Sequence, residues 1–258
     1  MDLPRLHADM AEWQSTRTSL HQAAEVVGKV RKAMIDPLPN ALHLSLHIVP
    51  EGLSTARLSD DTTLVLDIKE ALVKRLNPEG RISETWLLAD YTQQSLASTL
   101  ATAFEIDISA EGDEPLKINT RVGVDYAIFL YRVYTAFARF RATLFGTMSP
   151  VVVWTHHFDL SFVWFTGNEP DEHNKAHINF GFAPFSDGVD LPYIYMYGWS
   201  PEGGYAMIEP AFPVKFQTEG FTGAVIDYEA LRRFGQPEAM IESELNAIYR
   251  QFRAKLES

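Results

Sequence analysis

Histidine and aspartate stand together in the run His156-His157-Phe158-Asp159. On a strand, residues two apart share a face about 7 Å apart along the chain, which would pair His157 with Asp159. A His-x-Asp pair joined by a distant histidine is the ligand set of non-haem iron oxygenases. Here the later histidines, His173 and His177, follow after a short gap for a third ligand from another strand, so no metal is expected. His43 and His47 are four apart, the chelating spacing of a zinc helix. They fall in the alternating run Leu42-His43-Leu44-Ser45-Leu46-His47-Ile48, where that spacing becomes about 13 Å. No Glu follows His43, so the zinc-protease pattern fails twice. There is no cysteine nucleophile and no Gly-x-Ser-x-Gly elbow, and Ser149 before Pro150 reads as turn chemistry. Gly203-Gly204 and Gly220-x-x-Gly223 lack the strand-to-helix setting of a phosphate loop. No cofactor is expected.

The run Tyr193-Ile194-Tyr195-Met196-Tyr197-Gly198-Trp199 holds more promise. Period two puts three tyrosines and Trp199 on one strand face. Such a ladder lines a pocket for a flat or apolar ligand, or packs as sheet beneath a helix, its commoner origin. Glu202 and Glu209 follow it, as an acid or base or as solvated loop residues. Gly28 lies inside a predicted helix at a cost of about 1 kcal/mol relative to Ala. Close packing is the ordinary cause; close approach of a ligand, with Lys29 and Arg31 beside it, is the other.

Positioning these groups requires an α+β fold. Trp13, Leu20, Val27 and Met34 recur every seven residues and predict a helix over about 12–35. Pro37 and Pro39 end it. Strands are predicted at 42–48, 62–68, 72–76 and 81–88, and a helix capped by Asp90 runs to about Phe104. Ala110-Glu111-Gly112-Asp113-Glu114-Pro115 reads as a linker. A second long helix spans about 124–145. Strands follow at 151–155, 158–165, 177–182, 193–199 and 212–216, then closing helices at 229–234 and 237–256. Strands following strands favour antiparallel sheets flanked by long helices. The order helix, proline break, strands, helix occurs twice and suggests two pseudo-duplicated α-β-β-β-α units, 1–109 and 116–258, or one continuous domain. The second is aromatic-rich: 27 of the 31 aromatic residues follow Thr120.

The formal net charge is -12, with an acid excess in both halves. Attraction to nucleic acid or anionic lipid is disfavoured, and Lys29-Val30-Arg31-Lys32 is too short to mark a groove. No run reaches the ~18 apolar residues of a membrane helix. Met1-Asp2-Leu3-Pro4-Arg5-Leu6-His7 has no apolar core, so a cytoplasmic protein is expected.

The residues also resemble a known family. Leu20-His21, Val27-Gly28-Lys29-Val30-Arg31, and His43 followed by Gly52-Leu53-Ser54-Thr55 are similar to the opening of the bacterial domain-of-unknown-function family 5996. Phe137, Phe140-Arg141-Ala142, Gly146, Ser149-Pro150-Val151, Phe158-Asp159-Leu160 and Phe165-Thr166-Gly167 continue the resemblance. So do Gly181-Phe182 with Pro184, and Tyr195-Met196-Tyr197 through Pro201-Glu202-Gly203. The chain departs from the family pattern at Val152 and at Asn174-Lys175-Ala176. The resemblance implies an architecture and assigns no catalytic or binding residue. The functional expectation is a small-molecule-binding protein or cofactor-free enzyme, with a cleft where two α+β units meet. His43, Asp159, Tyr195, Tyr197 and Trp199 are its candidate groups. The alternative is a structural or interaction protein whose aromatic face forms a core or a subunit interface.

Overall fold

The computed structural model describes residues 3–6 and 9–257; Met1, Asp2 and His7 of the opening segment lie outside them. The chain divides into two compact units. One is built on Pro4–Tyr131 with Val153–Phe158, the other on Arg132–Val152 with Asp159–Ser258. The fold is α+β, with antiparallel sheets and long helices.

In the N-terminal unit, α1 (Met10–Met34) starts at Asp9, whose carboxylate accepts the amides of Ala11 and Glu12. Its heptad stripe is the core face: Trp13, Leu20 and Val27 are fully buried. A short 3-10 segment, Pro39–Leu44, follows. Then β1 (Ser45–Val49), β2 (Gly52–Arg57), β3 (Thr63–Asp67), β4 (Leu72–Leu76) and β5 (Ile82–Leu87) pair in order as an antiparallel meander. The alternation from Leu42 predicts a strand three residues too early. The Ser45 amide and hydroxyl both donate to the Leu42 carbonyl, closing a turn that holds His43 out of the ladder.

Helix α2 (Gln93–Phe104) is capped by Thr92, not Asp90. The Thr92 hydroxyl accepts the Ser95 amide while Ser95 accepts the Thr92 amide. Asp90 lies in a 3-10 turn, Leu88–Asp90. The Ala110–Pro115 stretch is fastened down: Gln94 N–H donates to the Gly112 carbonyl, Leu116 N–H to that of Tyr91, and Pro115 bridges Thr92. Helix α3 (Thr120–Ala142) begins here and passes into the other unit at Arg132. Returning chain forms β6 (Val152–Trp154), which pairs with β1 through Leu46↔Val153.

The C-terminal unit holds β7 (Asp159–Phe165), β8 (His177–Ala183), β9 (Tyr193–Ser200), β10 (Gly204–Tyr205), β11 (Lys215–Gln217), β12 (Gly223–Ile226), α4 (Tyr228–Arg232) and α5 (Pro237–Leu256). Its strands run in the order β11-β12-β9-β8-β7, all antiparallel, with β10 on β9. One sheet face is the core. Leu160, Phe162, Ile178, Phe180, Phe182, Ile194 and Met196 are fully buried on it. Phe137 and Phe140 of α3 meet Phe162 and Phe180 edge-on or tilted, at 5.2 to 6.2 Å. The α5 residue Phe252 presses on Gly198, where a Cβ would come within 2.9 Å of its ring. Arg132 and Glu238 bind α3 to α5 through a two-nitrogen, two-oxygen ion pair. No helix among the described residues is long and apolar enough to cross a membrane.

Candidate functional site

The opposite face of the C-terminal sheet is neither helix-covered core nor plain solvent surface. The β9 ladder is as the alternation predicts: Ile194, Met196 and Gly198 are buried against the helices, and Tyr193, Tyr195, Tyr197 and Trp199 stand half-buried on the other side. Strand register sets their neighbours. Tyr195 is opposite Gly181, Tyr197 opposite Asn179, and Trp199 opposite His177. One strand further, Gly181 is opposite Ser161 and Asn179 opposite Val163. Asp159, two residues before Ser161, completes the row on β7.

The face is built around three polar groups. Tyr195 donates its phenol hydrogen to Asp159 Oδ2, in a short contact that spans β8. Burial, and then the neighbouring Asp159 charge, raise the Tyr195 phenol well above its ordinary value, so it stays protonated as the donor. Asn179 is hydrogen-bonded to Tyr197, whose phenol is raised by burial and by the charge of Glu172. The Asn179 Oδ1 atom is shielded from solvent and has no partner among the described residues. The third group is His177, 3% exposed, whose Nδ1–H donates to the Lys175 carbonyl at 2.8 Å. That bond fixes the tautomer and leaves Nε2 as an acceptor. Burial lowers the His177 pKa, so the ring is neutral near pH 7. Trp199, Tyr197 and Phe165 surround it, with ring centroids at 5.5, 5.9 and 6.0 Å.

Further rings rise over the face. Phe221 stands edge-on to Tyr195 and Tyr197 at 5.8 and 5.9 Å, and Tyr205 meets Tyr197 at 5.7 Å. Glu172, half-buried in the loop before β8, has its carboxyl pKa raised by burial. Carboxylate, amide oxygen and neutral imidazole are all acceptors, and the rings present π-faces. The arrangement suits a flat or apolar molecule that brings hydrogen-bond donors.

Four of the five candidate residues, Asp159, Tyr195, Tyr197 and Trp199, therefore share one surface. His43 belongs to the N-terminal unit, in the 3-10 segment, where its Nδ1 accepts the Leu38 amide at 3.2 Å. His157 does not share a strand face with Asp159. The amides of His157 and Phe158 both turn back to the Trp154 carbonyl, and Phe158 takes a left-handed backbone at φ 57°, so His157 sits in an exposed turn. Among the described residues no three His, Asp or Glu side chains gather as a metal site. Glu202 and Glu209 are exposed. His177 and Asn179 were missed as partners of the ladder. Their signal was present: they are the polar steps of a strand whose other steps are Ile178, Phe180 and Phe182. A separate open cavity of about 580 Å³ lies in the N-terminal unit, lined by Ala11, Ser15, Ala89, Leu116 and Ile118 among others. It holds neither His43 nor Asp159.

Across residues 3–106 and 121–257 the chain matches the model of a family of unknown function, DUF5996. No curated protein and no solved structure matches it.

Proposed function

The chain belongs to the DUF5996 family, and from that premise and the geometry above we propose a small-molecule-binding protein whose site is the aromatic face of the C-terminal sheet. One observation carries this: Asn179 and His177, neighbours on one face of β8, lie opposite Tyr197 and Trp199 of β9, and Asn179 Oδ1 is buried there with no partner among the described residues. A buried polar atom left without a partner is costly in a sheet face that could have been apolar. Asp159 and Asn179 hold two of the phenols in place, and acceptor capacity remains at Asn179 Oδ1 and His177 Nε2. The ligand supplies donors and a planar or apolar body. His43 is not part of the proposed site.

The test is a thermal-unfolding screen against a small-molecule panel, followed by calorimetric titration of the hits. Hits should lose most of their shift in Trp199→Ala and in Asn179→Ala, while both variants stay folded. Hits that stabilise the variants as much as the parent would place binding elsewhere and end this proposal.

The alternative, a subunit interface, is favoured by Tyr205, Met207 and Phe212, exposed at 51, 54 and 71% on the segment that follows β9. Light scattering separates the two. A stable dimer that Phe212→Ser and Met207→Ser convert to monomer, with no panel hits, would favour the interface.

A further inference from the structure

The most buried cation described in the N-terminal unit lacks a counter-ion. Arg31, in the last turn of α1, is 4% exposed. Its Nη2 reaches the Leu42 carbonyl at 3.5 Å, the long limit of a hydrogen bond. Nε and Nη1, which carry three N–H donors between them, have no partner among the described residues. The protein treats other arginines differently. Arg75 is paired with Asp60 and Glu84, and Arg132 with Glu238, although both arginines are more exposed. Nor is there a shortage of acids, since the chain carries 34 Asp and Glu against 22 Lys and Arg.

A guanidinium does not escape burial by losing its proton, as a lysine or histidine does. Left unpaired it is among the most costly groups a fold can bury. Its charge is felt nearby: His47, half-buried on β1, is kept neutral by burial and by Arg31. A neutral imidazole supplies no compensating anion. The Leu42 carbonyl is presented by a segment in which Asn40 and Ala41 both take left-handed backbone, φ 52° and 53°, a conformation that costs energy for residues with a Cβ.

We propose that Arg31 is the receptor of an oxyanion site in the N-terminal unit, taking the carboxylate or phosphate group of a small molecule at its unpartnered Nη1. That nitrogen is screened from solvent, so the anion enters as the strained Pro39–Leu44 segment moves aside. This is independent of the aromatic face and uses none of its residues.

Thermal unfolding of the full chain in dilute Tris chloride, with added sodium phosphate, sodium acetate or sodium chloride at matched ionic strength, tests it. Phosphate or acetate should raise Tm saturably above the chloride value, by about 5 °C once the anion reaches roughly 100 times Kd. Whichever oxyanion acts at lower concentration identifies the ligand group. Arg31→Met should lose the shift, and without added oxyanion should unfold at or above the parent temperature, because an uncompensated charge has gone. Lys32→Met, which removes the exposed cation next to Arg31, should keep it. Equal oxyanion shifts in the parent and Arg31→Met would overturn the proposal, as would shifts no larger than chloride gives. An Arg31→Met chain that unfolds well below the parent in dilute Tris chloride, or does not fold, would also overturn it, since Arg31 would then be satisfied from within.

Discussion

The Tyr195 ring lies directly across Gly181, the residue paired with it on the neighbouring strand; a Cβ at Gly181 would stand 2.0 Å from the ring carbon Cζ. The absence of a side chain on β8 is what lets a phenol rooted on β9 reach a carboxylate on β7. Here glycine serves close approach and not an unusual backbone angle.

Gly181→Ala should therefore destabilise the protein by about 1–3 kcal/mol, because a central strand cannot shift and the ring must swing away from Asp159. Tyr195→Ala in the same chain should restore most of that loss. Urea unfolding of the two single variants and the double variant measures the coupling. Additive losses would mean that ring and glycine do not meet.

Removing only the phenol oxygen isolates the hydrogen bond. Tyr195→Phe keeps the ring but deprives the buried Asp159 of its phenol donor, at an expected cost of about 1–3 kcal/mol. Asp159→Asn should lower the pKa of the late-titrating tyrosine, since the carboxylate charge is one cause of its elevation. Ultraviolet titration of the phenolates at high pH checks the direction. An unchanged curve would remove Asp159 as a cause.

Gly28 is a contact point on α1. A Cβ there would lie 2.7 Å from both Oγ1 and Cγ2 of Thr155. Gly28→Ala should lose stability despite the better helix propensity of alanine, and Gly28→Leu should lose more. Thr155→Ala should relieve much of the first loss. Denaturant midpoints at or above the parent value for both Gly28 variants would show that the space is free.

The histidines set an acid limit. Burial lowers the pKa of His177 and, with the Arg31 charge, that of His47. A histidine whose folded pKa lies below its unfolded value binds more protons when unfolded. Stability is then full above the ordinary value of about 6.5 and falls as pH drops through it toward the lowered folded values. His177→Gln should make that decline shallower. Urea midpoints measured from about pH 8 down to about pH 5 decide it; parallel curves for parent and variant would exclude His177 as a contributor.

The local pattern in the chain determined much of this. The heptad Trp13, Leu20, Val27 specified the buried face of α1, because residues one heptad apart return to the same side of a helix. The alternation from Tyr193 to Trp199 specified which side chains share a face, because a strand repeats every two residues. Resemblance in many short segments identified the family. Register, however, is a property of two strands, and no single segment contains it. That Tyr195 meets Gly181 and reaches Asp159, and that Asn179 and His177 join the same row, was decided only when β7, β8 and β9 paired. Turn chemistry decided His43 and His157: hydrogen bonds to the Leu42 and Trp154 carbonyls competed with the strand and won, as short-range bonds often do at strand ends. Burial is likewise non-local. In the sequence Arg31 is one basic residue in Lys29-Val30-Arg31-Lys32, each able to face solvent. Only the packing of α1 against the chain that follows it encloses that one cation and not its neighbours.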